Sequence, residues 1–238
     1  EFATAPAVAI VDPETGQIVG RIFVPAGSRP HHVHASNGGN LIGVGLFGTD
    51  LVGVIDTHTN QLLGPWDTNP QTPNGRIHAA VFSHDGRTLY LTSDATNEVI
   101  AIDPYDGELF WRMTVAGAHE LAVTHNGKIA YVTRRTANRL AVIDLEDRTF
   151  EDVATLGLPD TMQLSADEAL LTVGLRTTPA QLAVVDTRTF NFDLVDLAGA
   201  AAANSLAGHQ WTSPNGRYTF VSWEGGTNPG IAVVRHGV

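Results

Sequence analysis

Short runs of alternating apolar residues recur along the whole chain at a nearly constant interval. Five of these runs end in an aspartate: AVAIVD, LVGVID, EVIAID, RLAVID and QLAVVD, whose aspartates are Asp12, Asp56, Asp103, Asp144 and Asp186. The intervals between these aspartates are 44, 47, 41 and 42 residues, and IAVVRHGV places Arg235 in the same column 49 residues further on. Alternation with period two predicts a half-buried strand, and the Asp-x-x-Thr or Asp-Gly sequence that follows predicts a tight turn. The pattern is therefore typical of a β-repeat protein.

Two more strands precede every strand of this column except the first, and one more strand follows each of the five that end in aspartate. The preceding pairs are visible in HHVHASNGG, HAAVFSHDGRTLYLTS, HELAVTHNGKIAYVT, DTMQLSADEALLTV and HQWTSPNGRYTFVS. One repeat therefore supplies four short strands in an up-and-down meander, which we name A, B, C and D. Because such a meander cannot bury both of its faces alone, the repeats must stack around an axis. The predicted fold class is all-β, a β-propeller of four-stranded up-and-down blades.

The predicted domain organisation is a single β-propeller domain over residues 1–238. Its predicted parts are a lead-in at 1–6, strands C and D at 7–24, full repeats at 31–69, 78–115, 119–156 and 160–197, and strands A, B and C at 209–234. Glu1-Phe2 is what an EcoRI cloning site encodes, so a tag remnant is expected within residues 1–6. This strand count fits five or six blades, or a part of a larger ring. The run of small residues at 196–208 is predicted to be a long connection, with a lid over one face as the alternative.

The composition agrees with this fold and excludes several classes of function. With 24 glycines and 12 prolines in 238 residues, long helices have little room. The 14 Lys and Arg residues against 25 Asp and Glu residues give a net charge of −11, which repels polyanions, so we expect no nucleic-acid partner. No apolar run is long enough to cross a bilayer, so we expect no membrane insertion. The absence of cysteine excludes disulfides and thiolate chemistry.

The order of motifs within a repeat carries a family resemblance. A histidine is followed by a Ser/Thr-x-Asp/Asn-Gly turn, then by LYLTS or AYVTR, and then by VIAID or LAVID. This order resembles the YVTN-type β-propeller repeats of surface-layer and periplasmic proteins, and lactonase-like seven-bladed propellers have similar repeats. The resemblance covers the chain from Ala7 to Val234. It implies the propeller fold and a periplasmic or extracellular location, but no particular activity, because this architecture hosts scaffolds, hydrolases and oxidoreductases alike.

Histidine recurs at the start of strand A, the strand nearest the axis of a propeller. The column reads His31, His78, His119 and Asp160, with His32 directly after His31 and with His209 one position out of register. Neutral imidazole is a good ligand for Zn and Cu. We therefore predict a transition-metal site at the mouth of the channel, with the ligands His31, His32, His78, His119 and His209. The alternative is that these histidines are structural hydrogen-bonding residues at the blade entrance.

Arginine is concentrated at the same predicted end of the blades. Arg29 and Arg76 stand two residues before a column histidine. Arg134 and Arg176 each stand ten residues before a blade aspartate, and Arg135 directly follows Arg134. Guanidinium groups bind carboxylates and phosphates in a bidentate way. A site for a small anionic ligand is therefore predicted from Arg29, Arg76, Arg134, Arg176 and Asp160. The alternative is that each arginine pairs with a neighbouring carboxylate.

Three functional hypotheses follow from these residues and from the resemblance. The first is a metal-dependent oxidoreductase or hydrolase, with Cu or Zn in the histidine site and a small anionic substrate on the arginines. The second is a non-catalytic YVTN-type module that binds a protein or a glycan, for which Trp66 and Trp223 are the candidate exposed aromatics. The third, a lactonase-like hydrolase, is implied by the resemblance alone. The five blade aspartates are predicted to be structural, as acceptors of backbone N–H groups in the C-to-D turns.

Overall fold

Short β-strands make up nearly all of the regular structure in the computed structural model of the chain. The structure describes residues 5–69, 75–197, 205–225 and 229–236. Within these ranges the one helical element is the 3₁₀ turn Arg135–Ala137, and no helix is long and apolar enough to span a bilayer. Positions 1–4 of the predicted lead-in and positions 198–204 of the predicted connection or lid lie outside the described residues.

The first of two compact units, Glu1–Val115, begins with a two-stranded sheet and continues with two blades. The two-stranded sheet consists of β1 (Ala7–Val11) and β2 (Ile18–Phe23). Blade 1 consists of β3 (Pro30–Ala35), β4 (Leu41–Leu46), β5 (Leu51–Asp56) and an outer strand in two pieces, β6 (Gln61–Leu62) and β7 (Trp66–Asp67). Blade 2 consists of β8 (Ile77–Phe82), β9 (Leu89–Ser93), β10 (Glu98–Ile102) and β11 (Leu109–Thr114). In each sheet consecutive strands pair antiparallel.

The second unit, Ala116–Val238, contains three more blades. Blade 3 consists of β12 (Ala118–Val123), β13 (Ile129–Arg134), β14 (Arg139–Asp144) and β15 (Thr149–Thr155). Blade 4 consists of β16 (Pro159–Leu164), β17 (Leu170–Leu175), β18 (Gln181–Asp186) and β19 (Phe192–Asp196). Blade 5 consists of β20 (Ser205–Thr212), β21 (Tyr218–Gly225) and β22 (Gly230–Arg235). All of these pairings are again antiparallel between consecutive strands.

Apolar side chains fill the spaces between neighbouring sheets within each unit. Blades 1 and 2 share a core that includes Val52, Val54, Leu89 and Ile100, all of them almost fully buried. Blades 3 and 4 are joined by a core of Tyr131, Leu140, Leu171, Val173 and their neighbours, and blades 4 and 5 by a core of Ala180, Leu182, Leu197, Ala207 and Val221. The alternating pattern in the sequence therefore has its expected cause, since neighbouring blades within each unit bury their apolar faces against one another.

The turns between strands C and D have the structure predicted for the blade aspartates. Asp56 Oδ1 accepts the backbone N–H groups of His58 and Thr59 at 2.8 and 3.1 Å, and Asp186 Oδ1 accepts those of Arg188 and Thr189 at 2.9 and 2.8 Å. Asp12, Asp103 and Asp144 make equivalent bonds. The predicted architectural role of these five residues is confirmed.

Every strand A carries a β-bulge near its start. Two consecutive residues of strand A stand opposite a single residue of strand B, as the register on either side shows. The bulged pairs and the residues opposite them are His31-His32 and Gly45, His78-Ala79 and Thr92, His119-Glu120 and Thr133, Asp160-Thr161 and Gly174, and Gly208-His209 and Ser222. A bulge re-aims side chains that would alternate across a regular strand.

These sheets confirm the predicted fold class. The chain is all-β, and the part that the structure describes contains five blades of the propeller type, each with strands A, B and C, and four of them with strand D as well. Of the two predicted blade counts, five is the one that agrees with the structure.

Candidate functional site

Three histidines of the first unit form a cluster at the start of strands β3 and β8. The ring centroids of His31 and His32 are 4.5 Å apart, those of His31 and His78 are 4.8 Å apart, and those of His32 and His78 are 4.4 Å apart. His31 and His32 are adjacent in the chain and would point to opposite faces of a regular strand. Because they are the two bulged residues opposite Gly45, both can approach His78.

The ring nitrogens of this cluster are close enough to hold one metal ion. One nitrogen from each of His31, His32 and His78 lies within 4.8 Å of the others. Two nitrogens bound to the same tetrahedral ion are about 3.4 Å apart, so small side-chain rotations would complete a three-histidine site. His78 is 2% exposed and His32 is 8% exposed, whereas His31 reaches the surface. The cluster is therefore largely desolvated and open on one side.

Two arginines contact an aromatic ring that also contacts two of the clustered histidines. The guanidinium carbons of Arg29 and Arg76 lie 5.8 and 5.7 Å from the ring centroid of Phe47. The same ring lies 5.2 Å from the ring of His31 and 5.7 Å from that of His78. The predicted grouping of Arg29 and Arg76 with His31 and His78 is thus present in the first unit, and Phe47 is a member of it that the sequence did not indicate.

A second group of polar side chains lies in the second unit, around the buried carboxylate of Asp160. His119 Nε2 and Arg135 Nη1 lie 2.9 and 3.0 Å from Asp160 Oδ1, and Arg176 Nη1 lies 3.6 Å from Oδ2. Burial raises the pKa of Asp160, but the contact with His119 and the positive charges of Arg135 and Arg176 outweigh this effect. The pKa of Asp160 therefore lies below its ordinary value.

His209 and Glu224 extend this second group from blade 5. Arg176 Nη2 lies 2.5 Å from Glu224 Oε1. His209 is half-buried, and its backbone N–H donates to Ser222 Oγ at 2.9 Å. Burial lowers the pKa of His209 below its ordinary value, although the carboxylates of Asp160 and Glu224 act in the opposite direction. The burial of His209 therefore favours the neutral form of its imidazole.

The predicted site residues thus fall into two groups, one in each unit. His31, His32, His78, Arg29 and Arg76 belong to the first unit, and His119, His209, Asp160, Arg134 and Arg176 belong to the second. The prediction of one site with five histidine ligands therefore stays a prediction.

Arg134 is the predicted anion-binding residue whose surroundings differ most from expectation. Its Nη1 lies 2.6 Å from Asp152 Oδ1, and its guanidinium stacks 5.0 Å above the ring centroid of Phe150. Arg135 takes the position beside Asp160 instead. In the sequence, Arg134 and Arg176 both stand ten residues before a blade aspartate. In the sheets, however, the residue of blade 3 that is equivalent to Arg176 is Arg135. The two comparisons differ because the B-to-C connection is one residue shorter in blade 3 than in blade 4.

The two tryptophans considered for partner binding pack within the fold. Trp66 is half-buried, packs against the core between blades 1 and 2, and donates its Nε1–H to the carbonyl of Pro104 at 3.1 Å. Trp223 is half-buried and packs against the core between blades 4 and 5. Trp211, in contrast, is 59% exposed, and its ring lies 6.2 Å from that of His209.

Comparison with known proteins identifies relatives of the fold. A sequence model described as "Lactonase, 7-bladed beta-propeller" matches residues 24–190. No curated protein sequence matches the chain. Hydrazine synthase of Kuenenia stuttgartiensis is similar in structure, with a TM-score of 0.76 and 16% identity over 93% of this chain and 67% of that one.

Two further solved structures are similar at lower scores. A 6-phosphogluconolactonase-like protein of Bacteroides uniformis has a TM-score of 0.67 and 14% identity over 97% of this chain and 78% of its own. Streptogramin B lyase has a TM-score of 0.69 and 13% identity over 90% of this chain and 70% of its own. At these identities the likeness shows the fold alone.

Proposed function

Since the chain belongs to the lactonase family of seven-bladed β-propellers, we propose that it uses this scaffold to bind a transition-metal ion through His31, His32 and His78, with a small anionic ligand beside the ion. The single observation that carries the proposal is the proximity of three ring nitrogens, all within 4.8 Å of one another. Three histidine ligands with one open position are the arrangement found in many catalytic zinc sites. Imidazole also suits copper.

The arginines make an anion part of this proposal. Arg29 and Arg76 bring two positive charges against Phe47, whose ring contacts His31 and His78. A divalent cation in the histidine cluster would be repelled by these charges unless an anion lay between them. A carboxylate or phosphate group that contacts both the ion and a guanidinium removes this repulsion. Metal and anion are therefore expected to bind with positive cooperativity.

The chemistry then depends on the ion. His31, His32 and His78 would hold the ion, which with zinc would supply Lewis-acid chemistry for hydrolysis and with copper would supply redox chemistry. Hydrolysis of a lactone is the reaction that the family match favours. The anionic part of the substrate would lie on Arg29 and Arg76, beside the three histidines.

The experiment that tests the proposal is metal analysis by ICP-MS after purification without a tag or chelator, repeated after dialysis against EDTA and reconstitution. We expect about one equivalent of Zn or Cu per chain. The variant His31→Ala/His78→Ala should lose this metal. His58→Ala, which removes an exposed imidazole of a C-to-D turn, should retain it. Equal metal content in the double variant and the wild type would refute the site.

A further inference from the structure

Two arginines of the second unit contact the same buried carboxylate. Asp160 is 6% exposed, and its two carboxylate oxygens face Arg135 at 3.0 Å and Arg176 at 3.6 Å. The arginine side chains themselves are 38% and 22% exposed. A guanidinium has five N–H donors, and one carboxylate oxygen uses only one or two of them. Asp160 therefore leaves N–H donors of both guanidinium groups for another acceptor, and both arginine side chains are partly exposed.

The contact of Glu224 with Arg176 indicates that this arginine pair can bind a carboxylate. Its Oε1 lies 2.5 Å from Arg176 Nη2, although its own side chain is 60% exposed. An exposed ion pair of this kind is weak, because water and salt screen it and because a long side chain must be immobilised. An external carboxylate could therefore take the place of the Glu224 carboxylate at little cost.

From these contacts we infer that Arg135 and Arg176 form a binding site for the carboxylate group of a small organic acid, and that the side chain of Glu224 competes with this ligand at Arg176. This site goes beyond the proposed metal function and shares no residue with it.

The local charge favours a monoanion over a phosphate. With Glu224 displaced, the charges of Arg135, Arg176 and Asp160 sum to +1, which one carboxylate neutralises. A phosphate dianion would leave an excess negative charge close to the buried carboxylate of Asp160. The planar carboxylate also matches the fork of a guanidinium.

The test is calorimetric titration of the full chain with butyrate, alongside its uncharged analogue butyramide and inorganic phosphate. Butyrate should bind saturably, butyramide should not bind, and phosphate should bind more weakly than butyrate. Arg135→Gln and Arg176→Gln should each weaken butyrate binding about tenfold or more. Glu224→Gln should strengthen it about three- to fivefold, because the internal competitor is removed.

Two control variants test whether loss of butyrate binding is specific to Arg135 and Arg176. Arg139→Gln removes a guanidinium of the same unit that contacts Asp152 and Thr155, and it should bind butyrate as the wild type does. The variant His31→Ala/His78→Ala should also bind butyrate normally, since failure of the metal site leaves this site intact.

Four results would overturn the inference: an unchanged or lower affinity in Glu224→Gln, wild-type affinity in both arginine variants, equal binding of butyramide, or tighter binding of phosphate. Far-ultraviolet circular dichroism of each variant establishes that it is folded. In Arg176→Gln, Asp160 keeps its contacts with Arg135 and His119, so loss of fold is not expected.

Discussion

At the scale of single residues, Arg29 combines backbone strain with a place in the candidate site. It has a φ of 50°, in the left-handed region that residues other than glycine rarely adopt. The equivalent positions, two residues before the bulge, are Gly117 in blade 3, with a φ of 80°, and Leu158 in blade 4, with a φ of 45°. The conformation thus recurs at this position in blades 1, 3 and 4, and an arginine is strained in it by roughly 1 kcal/mol.

This strain leads to a prediction for Arg29→Gly. We expect the free energy of unfolding to stay the same or to rise by up to about 1 kcal/mol, while affinity for an anion beside the metal falls. Leu158→Gly is the matched control, since it relieves the same conformation in the other unit, at a residue that is not part of the proposed metal site. Urea unfolding measures stability, and titration of the metal-loaded protein measures anion binding. A loss of more than about 1 kcal/mol in Arg29→Gly would instead give Arg29 a structural role.

The blade aspartates lead to a prediction about acid stability. Backbone N–H groups lower the pKa of Asp56 and Asp186 below the ordinary value of 3.8, so that the folded state favours their charged form. Their contribution to stability is thus present above about pH 4 and is lost as the pH falls through the lowered pKa. Asp56→Asn/Asp186→Asn keeps an acceptor oxygen in each turn but removes the titration.

The difference between the urea midpoints at pH 6 and pH 3 measures this effect. It should be smaller in Asp56→Asn/Asp186→Asn than in the wild type. The exposed turn variant Asp147→Asn serves as the control and should preserve the wild-type difference. An equally large difference in the double variant would show that other carboxylates cause the acid sensitivity.

At the scale of the structural element, the bulge of strand A is stabilised by a hydroxyl group from strand B. Thr133 Oγ1 is buried in blade 3, accepts the N–H of Glu120 at 2.9 Å, and donates to the carbonyl of Asp160 in blade 4 at 2.8 Å. Thr92 and Ser222 accept the corresponding N–H in blades 2 and 5. In blades 1 and 4 a glycine stands there, and a side chain on Gly45 would collide with the carbonyl of His78.

Thr133→Val should therefore destabilise the protein strongly. It keeps the shape of the side chain but leaves a buried N–H and a buried carbonyl without this partner, at a cost of about 2 kcal/mol. Thr133→Ser keeps the hydroxyl and should cost less than half as much. Urea unfolding of the two variants provides the comparison. If both variants lose equal stability, the cause is the lost methyl group and the hydrogen bonds contribute little.

The same element explains which parts of the structure were predictable from the sequence. The fold was predictable because alternating apolar residues and turn aspartates recur in every repeat. The bulge was not, since an extra residue in strand A leaves no mark on that alternation. His32 and His209 consequently looked like departures from the histidine column, whereas each is the second residue of its bulge. The role of Arg135 was hidden in the same way, by a connection one residue shorter in blade 3.

At the scale of the whole molecule, the net charge of −11 affects how any ligand experiment must be interpreted. A strongly acidic chain attracts cations non-specifically and repels free anions, and both effects weaken as salt rises. The arginine groups around Phe47 and Asp160 are local exceptions within this field. Metal binding at low salt is thus expected from any such protein, and only its dependence on named residues identifies a site.

The last prediction concerns the effect of a bound metal on the stability of the folded chain. The candidate ligands come from β3 and β8, two strands of different blades, so only the native state brings them together. A metal that binds the native state alone stabilises it by about 2.7 kcal/mol at a free concentration of 100 times its Kd. We expect Zn²⁺ at 150 mM salt to raise the Tm of the wild type but not that of His31→Ala/His78→Ala. Mg²⁺, which prefers oxygen ligands, should leave both unchanged. An equal rise in both proteins with Zn²⁺ would mean that the acidic surface binds the ion, and the histidine cluster would then be a structural feature of the blade entrance.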